Sequence, residues 1–125
     1  QKGHTVFILI KKKDILENLL IESGFEYKNV LPEGRHNSKL GIAWGVIKKD
    51  MELLKFCLKN RPDLMLGTSA EIAHIGALLK IPSFNFSEDD VAVIKTFAKL
   101  TYPFSDYIVS PVGCNNEKWN NKTLF

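Results

Sequence analysis

The stretch Arg61-Pro62-Asp63-Leu64-Met65-Leu66-Gly67-Thr68-Ser69-Ala70-Glu71 decides the fold. Pro62 ends the helical pattern before it, because proline lacks an amide proton and clashes with the preceding turn. Leu64, Met65 and Leu66 form an apolar run without polar alternation, which suits a strand covered on both faces. Gly67 closes the run, and residues 68–80 then take up a helical period. A buried strand running directly into a helix is the joint of a βαβ unit.

The same alternation continues on both sides. Downstream, residues 83–86 read as a strand, residues 87–102 as a helix ending before Pro103, and residues 107–109 as a further strand. Residues 113–122 are Asn-rich and loop-like, and Thr123-Leu124-Phe125 begins one more strand. Upstream, residues 39–60 carry the longest helical pattern. Leu40, Trp44, Ile47, Met51, Leu54 and Leu58 recur three or four apart and make one apolar stripe, read as the buried face. Residues 5–10 (TVFILI) read as a strand. Residues 14–23 read as a helix capped by Asp14 and Glu17 and stopped by Gly24, and residues 25–31 as a second strand. Strands alternating with helices predict an α/β fold, a three-layer Rossmann-like domain on a parallel sheet. Residues 1–125 read as a single domain.

Composition narrows the function classes. The 125 residues carry 17 Lys and Arg against 14 Asp and Glu, a net charge of +3. A nucleic-acid binder needs a denser, clustered excess, so none is expected as a partner. Cys57 and Cys114 form no CxxC pair, and His4, His36 and His74 are far apart. Neither a disulfide scaffold nor a zinc site is expected, and reduced thiols point to the cytoplasm. No apolar run reaches the roughly 20 residues of a membrane span.

Open parallel sheets bind ligands beyond the carboxyl ends of their strands. The loops there hold the candidates. Gly67, Thr68 and Ser69 offer backbone amides and hydroxyls at a helix start, for an anion or a sugar hydroxyl. The plain structural reading is a capping box of Thr68 with Glu71. Glu88, Asp89 and Asp90 can hold sugar hydroxyls or act as general base. Equally, they are helix-start carboxylates favoured by the macrodipole, with Ser87 and Asp90 as a capping box. Arg35 and His36 lie in a polar loop suited to an anionic or acceptor group. His74 shares a helix face with Glu71 and reads first as helix packing, second as a ligand contact. Gly41-Ile42-Ala43-Trp44-Gly45-Val46-Ile47 allows close backbone approach in a core, or a shallow peripheral contact with a membrane surface. No G-x-x-x-x-G-K-[ST], G-x-G-x-x-G or G-x-S-x-G motif occurs.

The ordered set Gly3-His4-Thr5-Val6, Arg61 to Ser69 and Leu79-Lys80-Ile81-Pro82-Ser83 resembles the N-terminal domain of GT-B glycosyltransferases and of UDP-N-acetylglucosamine 2-epimerases. It is closer still to a bacterial and archaeal glycosyltransferase-like family of unknown function. Stretches similar to Leu31-Pro32-Glu33-Gly34-Arg35, Gly67-Thr68-Ser69-Ala70-Glu71, Glu88-Asp89-Asp90 and Leu100-Thr101-Tyr102-Pro103-Phe104-Ser105-Asp106 carry that resemblance.

The resemblance implies an acceptor-side domain of a glycosyltransferase using a nucleotide-sugar donor. Glu88, Asp89 or Asp90 would serve as base, Gly67, Thr68, Ser69, Arg35, His36 and His74 would contact substrate, and neither metal nor other cofactor is expected. It also implies a fragment: Lys2-Gly3-His4 would follow a first β-α unit, and a second domain would hold the nucleotide sugar. The fragment alone is then expected to be inactive. The alternatives are an epimerase or a non-catalytic sugar- or protein-binding module. The missing first strand would leave a slot between the strands at residues 5–10 and 64–67. The expectation is that these strands pair directly, or that another copy fills the slot and gives a dimer through exposed strand edges.

Overall fold

A computed structural model describes residues 3–11, 15–31 and 39–125. The chain divides into two compact units, residues 1–49 and residues 50–125, and each is described by itself.

The first unit holds β1 (Leu9–Lys11), α1 (Leu16–Glu22) and β2 (Lys28–Leu31). β1 and β2 pair in parallel, Leu9 against Lys28 and Ile10 against Asn29, with a register slip after Ile10. The β1 ladder is shorter than the run at residues 5–10. Val6 and Phe7 are exposed and outside it. α1 starts at an N-cap Ile15 that makes no side-chain cap bond, and Asp14 lies outside the described residues. The Glu17 carboxylate accepts the Tyr27 hydroxyl at 3.0 Å, tying α1 to the approach of β2. Gly24, at φ +71°, ends the helix as expected, since a left-handed backbone there costs glycine nothing.

α2 (Lys39–Asn60) spans its expected residues. Its apolar stripe is not the buried face. Leu40 is 85% exposed, and Trp44, Ile47, Met51 and Leu58 are exposed as well. The buried residues are Leu53 and Cys57, one residue earlier in the helix than Leu54 and Leu58 and so rotated by about 100°. Contacts made from Asp50 and Cys57 set that rotation. Asp50 meets His74, and the Cys57 thiol meets the Met65 sulfur at 3.9 Å.

The second unit is built on four strands: β3 (Met65–Gly67), β4 (Ser83–Phe86), β5 (Tyr107–Val109) and β6 (Thr123–Leu124). They lie in the order β3-β4-β5-β6, all parallel. α3 (Ala70–Leu79) links β3 to β4, α4 (Lys95–Thr101) links β4 to β5, and a 3-10 helix (Glu117–Lys122) links β5 to β6. The Met65 amide bonds the Pro82 carbonyl at 2.9 Å. Leu66 therefore turns its own amide and carbonyl to the outer edge of β3.

Three local expectations change. The N-cap of α3 is Ser69, one residue later than the expected Thr68, and it makes no side-chain cap bond. The buried Asn85 side chain instead donates to the Ser69 carbonyl at 2.8 Å and fixes this turn from β4. α4 starts only at Lys95, because residues 87–94 are tied to a distant loop. The Asp90 carboxylate accepts the Asn115 amide at 2.6 Å, and the Val91 amide bonds the Asn115 carbonyl. The third change is the 3-10 helix, in a segment read as loop. Lys122 at its end donates to the Tyr102 and Ser105 carbonyls, satisfying orphan carbonyls at and just beyond the C-terminus of α4.

Val91, Ala98, Tyr102 and Ile108 form the core here, with Ile94, Phe97 and Trp119 packed against it. Tyr102 meets Phe97 and Trp119 edge-on at 6.2 and 6.4 Å between ring centres. Such aromatic pairs each contribute about 0.5–1.5 kcal/mol beyond area burial.

Candidate functional site

The carboxyl ends of β3, β4 and β5 open into a cleft of about 720 Å³. Phe86, Ile94, Phe97, Val109 and Pro111 give it apolar walls. Thr68, Ser87, Glu88, Asp89 and Ser110 supply its polar groups. A smaller cavity of about 260 Å³ lies at the other end, beside Lys80, Pro82 and Asp106, where β4 and β5 begin. Parallel-sheet topology places ligands at the first of these, not the second.

Three loops distant in sequence are thus brought together. Thr68 comes from the β3–α3 turn, Glu88 and Asp89 from the exit of β4, and Ser110 from the exit of β5. Gly67 is the last residue of β3 and Ser69 the N-cap of α3. Asp90 does not line the cleft; its carboxylate is occupied by the Asn115 amide. Arg35 and His36 lie outside the described residues. His74 does not line the cleft either. One ring nitrogen contacts Asp50 at 2.9 Å, the other the Leu100 carbonyl at 2.7 Å, and the ring stands edge-on to Phe104 at 5.2 Å. It joins α2, α3 and the end of α4, in keeping with helix packing.

The loops are held from beneath by buried polar side chains. Asn85, only 1% exposed, donates to the Ser69 carbonyl and accepts the Ser105 hydroxyl at 2.9 Å. Ser105 also reaches the Thr101 carbonyl. Asn116, fully buried, donates to the Ser110 hydroxyl at 2.9 Å and to the Thr123 hydroxyl at 3.2 Å. The Tyr102 hydroxyl is buried without a hydrogen-bond partner. Burial pushes this phenol up from its ordinary value, and Asp89 and Cys114 add to the rise; Ser87 approaches and opposes it, without closing a bond of ordinary geometry.

Ser110 and Asn116 bound a strand-exit loop that topology marks as ligand-side, though neither was given a role, and Asn85 was missed altogether by sequence reasoning. For Asn85 a signal exists: asparagine is depleted in strands, and a polar residue inside Ser83-Phe84-Asn85-Phe86 calls for a partner.

Glu88 and Asp89 are exposed and make no ion pair among the described residues. Among the described residues no Lys, Arg or His lines the cleft. No group of three or more His, Cys, Asp or Glu able to hold a metal ion occurs among the described residues, and no described helix is long and apolar enough to cross a membrane.

Parallel ladders, alternating helices and a cleft at the strand exits define a Rossmann-like fold of GT-B type. No protein-family model matches the chain, and no curated protein matches it. Among solved structures, the crystal structure of Acinetobacter baumannii MurG is similar, with a TM-score of 0.68 at 15% identity over 98% of this chain. The chain spans 36% of that structure's length. Identity this low establishes a shared GT-B-like fold and nothing finer.

Proposed function

We propose that this domain forms the acceptor side of a GT-B-like glycosyltransferase, working with a nucleotide-sugar donor held by a further domain. The observation that carries the reading is the cleft itself. It lies at the strand exits of a GT-B-type fold and combines apolar walls with two carboxylates that have no partner among the described residues. In this reaction Glu88 or Asp89 takes the proton of the acceptor hydroxyl. The freed oxygen attacks the anomeric carbon of the donor, and the nucleotide leaves with the bonding electron pair of the broken C–O bond. Thr68 and Ser110 hydrogen-bond the acceptor's other oxygens.

The test is product analysis on the polypeptide that joins this chain to a donor-binding domain, supplied with nucleotide sugars. A new glycoside is expected, and Glu88→Gln or Asp89→Asn should lower kcat by about a hundredfold or more, the usual contribution of a general base. An epimerised sugar nucleotide without a glycoside would assign the epimerase reaction instead. Full activity in both variants would remove the carboxylates from the chemistry. The 125-residue chain alone should turn over no donor.

A further inference from the structure

The acceptor's charge can be argued from the polar groups of the same cleft, an inference that rests on the acceptor-site reading. The Thr123 hydroxyl donates to the Trp119 carbonyl at 3.0 Å, so its proton is spent and its oxygen faces Asn116 as an acceptor. The Asn116 group that meets it must then be the amide nitrogen, 3.2 Å away. That same nitrogen reaches the Ser110 hydroxyl at 2.9 Å. Ser110 is therefore an acceptor toward Asn116, and its own proton has no acceptor among the described residues. Ser110 is 4% exposed, and the surface it retains lines the cleft. A buried hydroxyl oriented in this way offers one proton to a ligand oxygen. The Tyr102 hydroxyl, near Ser87 and Asp89, is buried without a hydrogen-bond partner but is not among the cleft-lining residues.

Against this neutral donor stand Glu88 and Asp89, and among the described residues no cation lines the cleft. Two unneutralised carboxylates beside apolar walls repel an entering phosphate or carboxylate and attract an ammonium group. We propose that the cleft takes a saccharide whose inserted part bears no anionic group and favours an amine-bearing sugar. Ser110, oriented by Asn116, donates to one ring or hydroxyl oxygen, and Glu88 and Asp89 receive the amine and neighbouring hydroxyls.

The experiment is an NMR titration of the 125-residue chain with three probes: methyl β-D-glucosaminide, methyl N-acetyl-β-D-glucosaminide and N-acetylglucosamine 6-phosphate. The amine should bind tightest and the phosphate weakest, with a gap of about tenfold or more between them for two carboxylates within contact range. Glu88→Gln with Asp89→Asn, both at exposed positions, should collapse that gap. Ser110→Ala should weaken the neutral sugar by about two- to tenfold. Phosphate binding as tight as that of the neutral sugar, or a gap unchanged in the double variant, would overturn the proposal while leaving an acceptor site in place. Absence of binding by all three sugars would overturn both.

Discussion

Gly76 sits in α3 against β3 and β4, and its replacement by alanine gives a stability change whose sign the structure fixes. A Cβ there would lie 2.8 Å from the Ile81 carbonyl oxygen, 3.1 Å from the Met65 methyl and 3.1 Å from the Ser83 Cβ. The Met65 methyl ends a flexible side chain and can move aside. The Ile81 oxygen is backbone, in a segment pinned by the bond from the Ile81 amide to the Gly76 carbonyl at 2.9 Å. The Ser83 Cβ is fixed by the β4 ladder and by the bond from the Ser83 amide to Asp106. Relief thus requires α3 to lift off the sheet by a few tenths of an ångström. Overpacking of this kind costs about 1–3 kcal/mol, and the helix gains up to about 1 kcal/mol when glycine becomes alanine. Gly76→Ala should therefore destabilise by about 1–2 kcal/mol, a fall in Tm of about 4–8 °C for a chain this long. Gly45 in α2 is the control, because a Cβ there meets no heavy atom within 4 Å among the described residues. Gly45→Ala should raise stability by about 0.5–1 kcal/mol. Urea and thermal unfolding followed by far-UV circular dichroism measure both. Gly76→Ala at or above the parent Tm, or both variants shifting the same way, would refute the packing argument.

Removing the His74 bridge should also be costly. His74→Phe keeps an aromatic ring against Phe104 but loses the bonds to Asp50 and Leu100, for about 1–3 kcal/mol. A double-mutant cycle with Asp50→Asn should give a coupling above about 0.5 kcal/mol, and zero coupling would deny the bridge. Asn85→Leu leaves the Ser69 carbonyl without its donor and the Ser105 hydroxyl without that acceptor; a loss of about 2–3 kcal/mol is expected in urea titrations. Alkaline pH supplies another test. Burial raises the Cys57 thiol from 9.0 and the Tyr102 phenol from 10.0, so the unfolded chain releases these protons first. Their contribution to stability is complete below about pH 9 and declines as pH rises through 9 and 10. Lys122, lowered from 10.5 chiefly by burial, acts in the opposite sense: the unfolded chain keeps its proton longer, so rising pH favours the fold. Cys57→Ala should flatten the decline between pH 9 and 10 in denaturation midpoints, and an unchanged slope would exclude the thiol.

The parts of the fold legible in the sequence are those whose signals are local. Pro62, Gly67 and Pro82 bracket short apolar runs, and β3, β4 and β5 fall inside the expected segments. α2 keeps its expected bounds because residues 39–60 contain no proline and end before Pro62. The failures are non-local. Ser87 and Asp90 have the spacing of a capping box, but Asp90 finds its amide donor 25 residues away at Asn115, and α4 starts five residues later, at Lys95. In α2 the apolar stripe names the face with the most hydrophobic area. The buried line follows Asp50, Leu53 and Cys57 because His74 and Met65 stand opposite them. Periodicity ranks the faces of a helix by composition; tertiary partners decide which one is covered.

The site divides along the same line. Thr68, Glu88 and Asp89 were readable because topology alone puts strand exits beside one another, whatever the side chains do. Ser110 was readable by position, at the exit of β5, but its role was not, because that role passes through three residues. Trp119 takes the proton of Thr123, Thr123 then demands the nitrogen of Asn116, and that nitrogen leaves Ser110 with a proton to give. The chain of bonds exists only because the 3-10 helix returns residues 116–123 to the exit of β5. Replacing Thr123 by valine breaks its first link while keeping shape. Asn116 is then free to rotate and present its oxygen to Ser110, which would claim the Ser110 proton. Thr123→Val should therefore weaken the neutral sugar probe about as much as Ser110→Ala does, although Thr123 is not among the cleft-lining residues. Undiminished sugar binding in folded Thr123→Val would show that Ser110 is not oriented by this route.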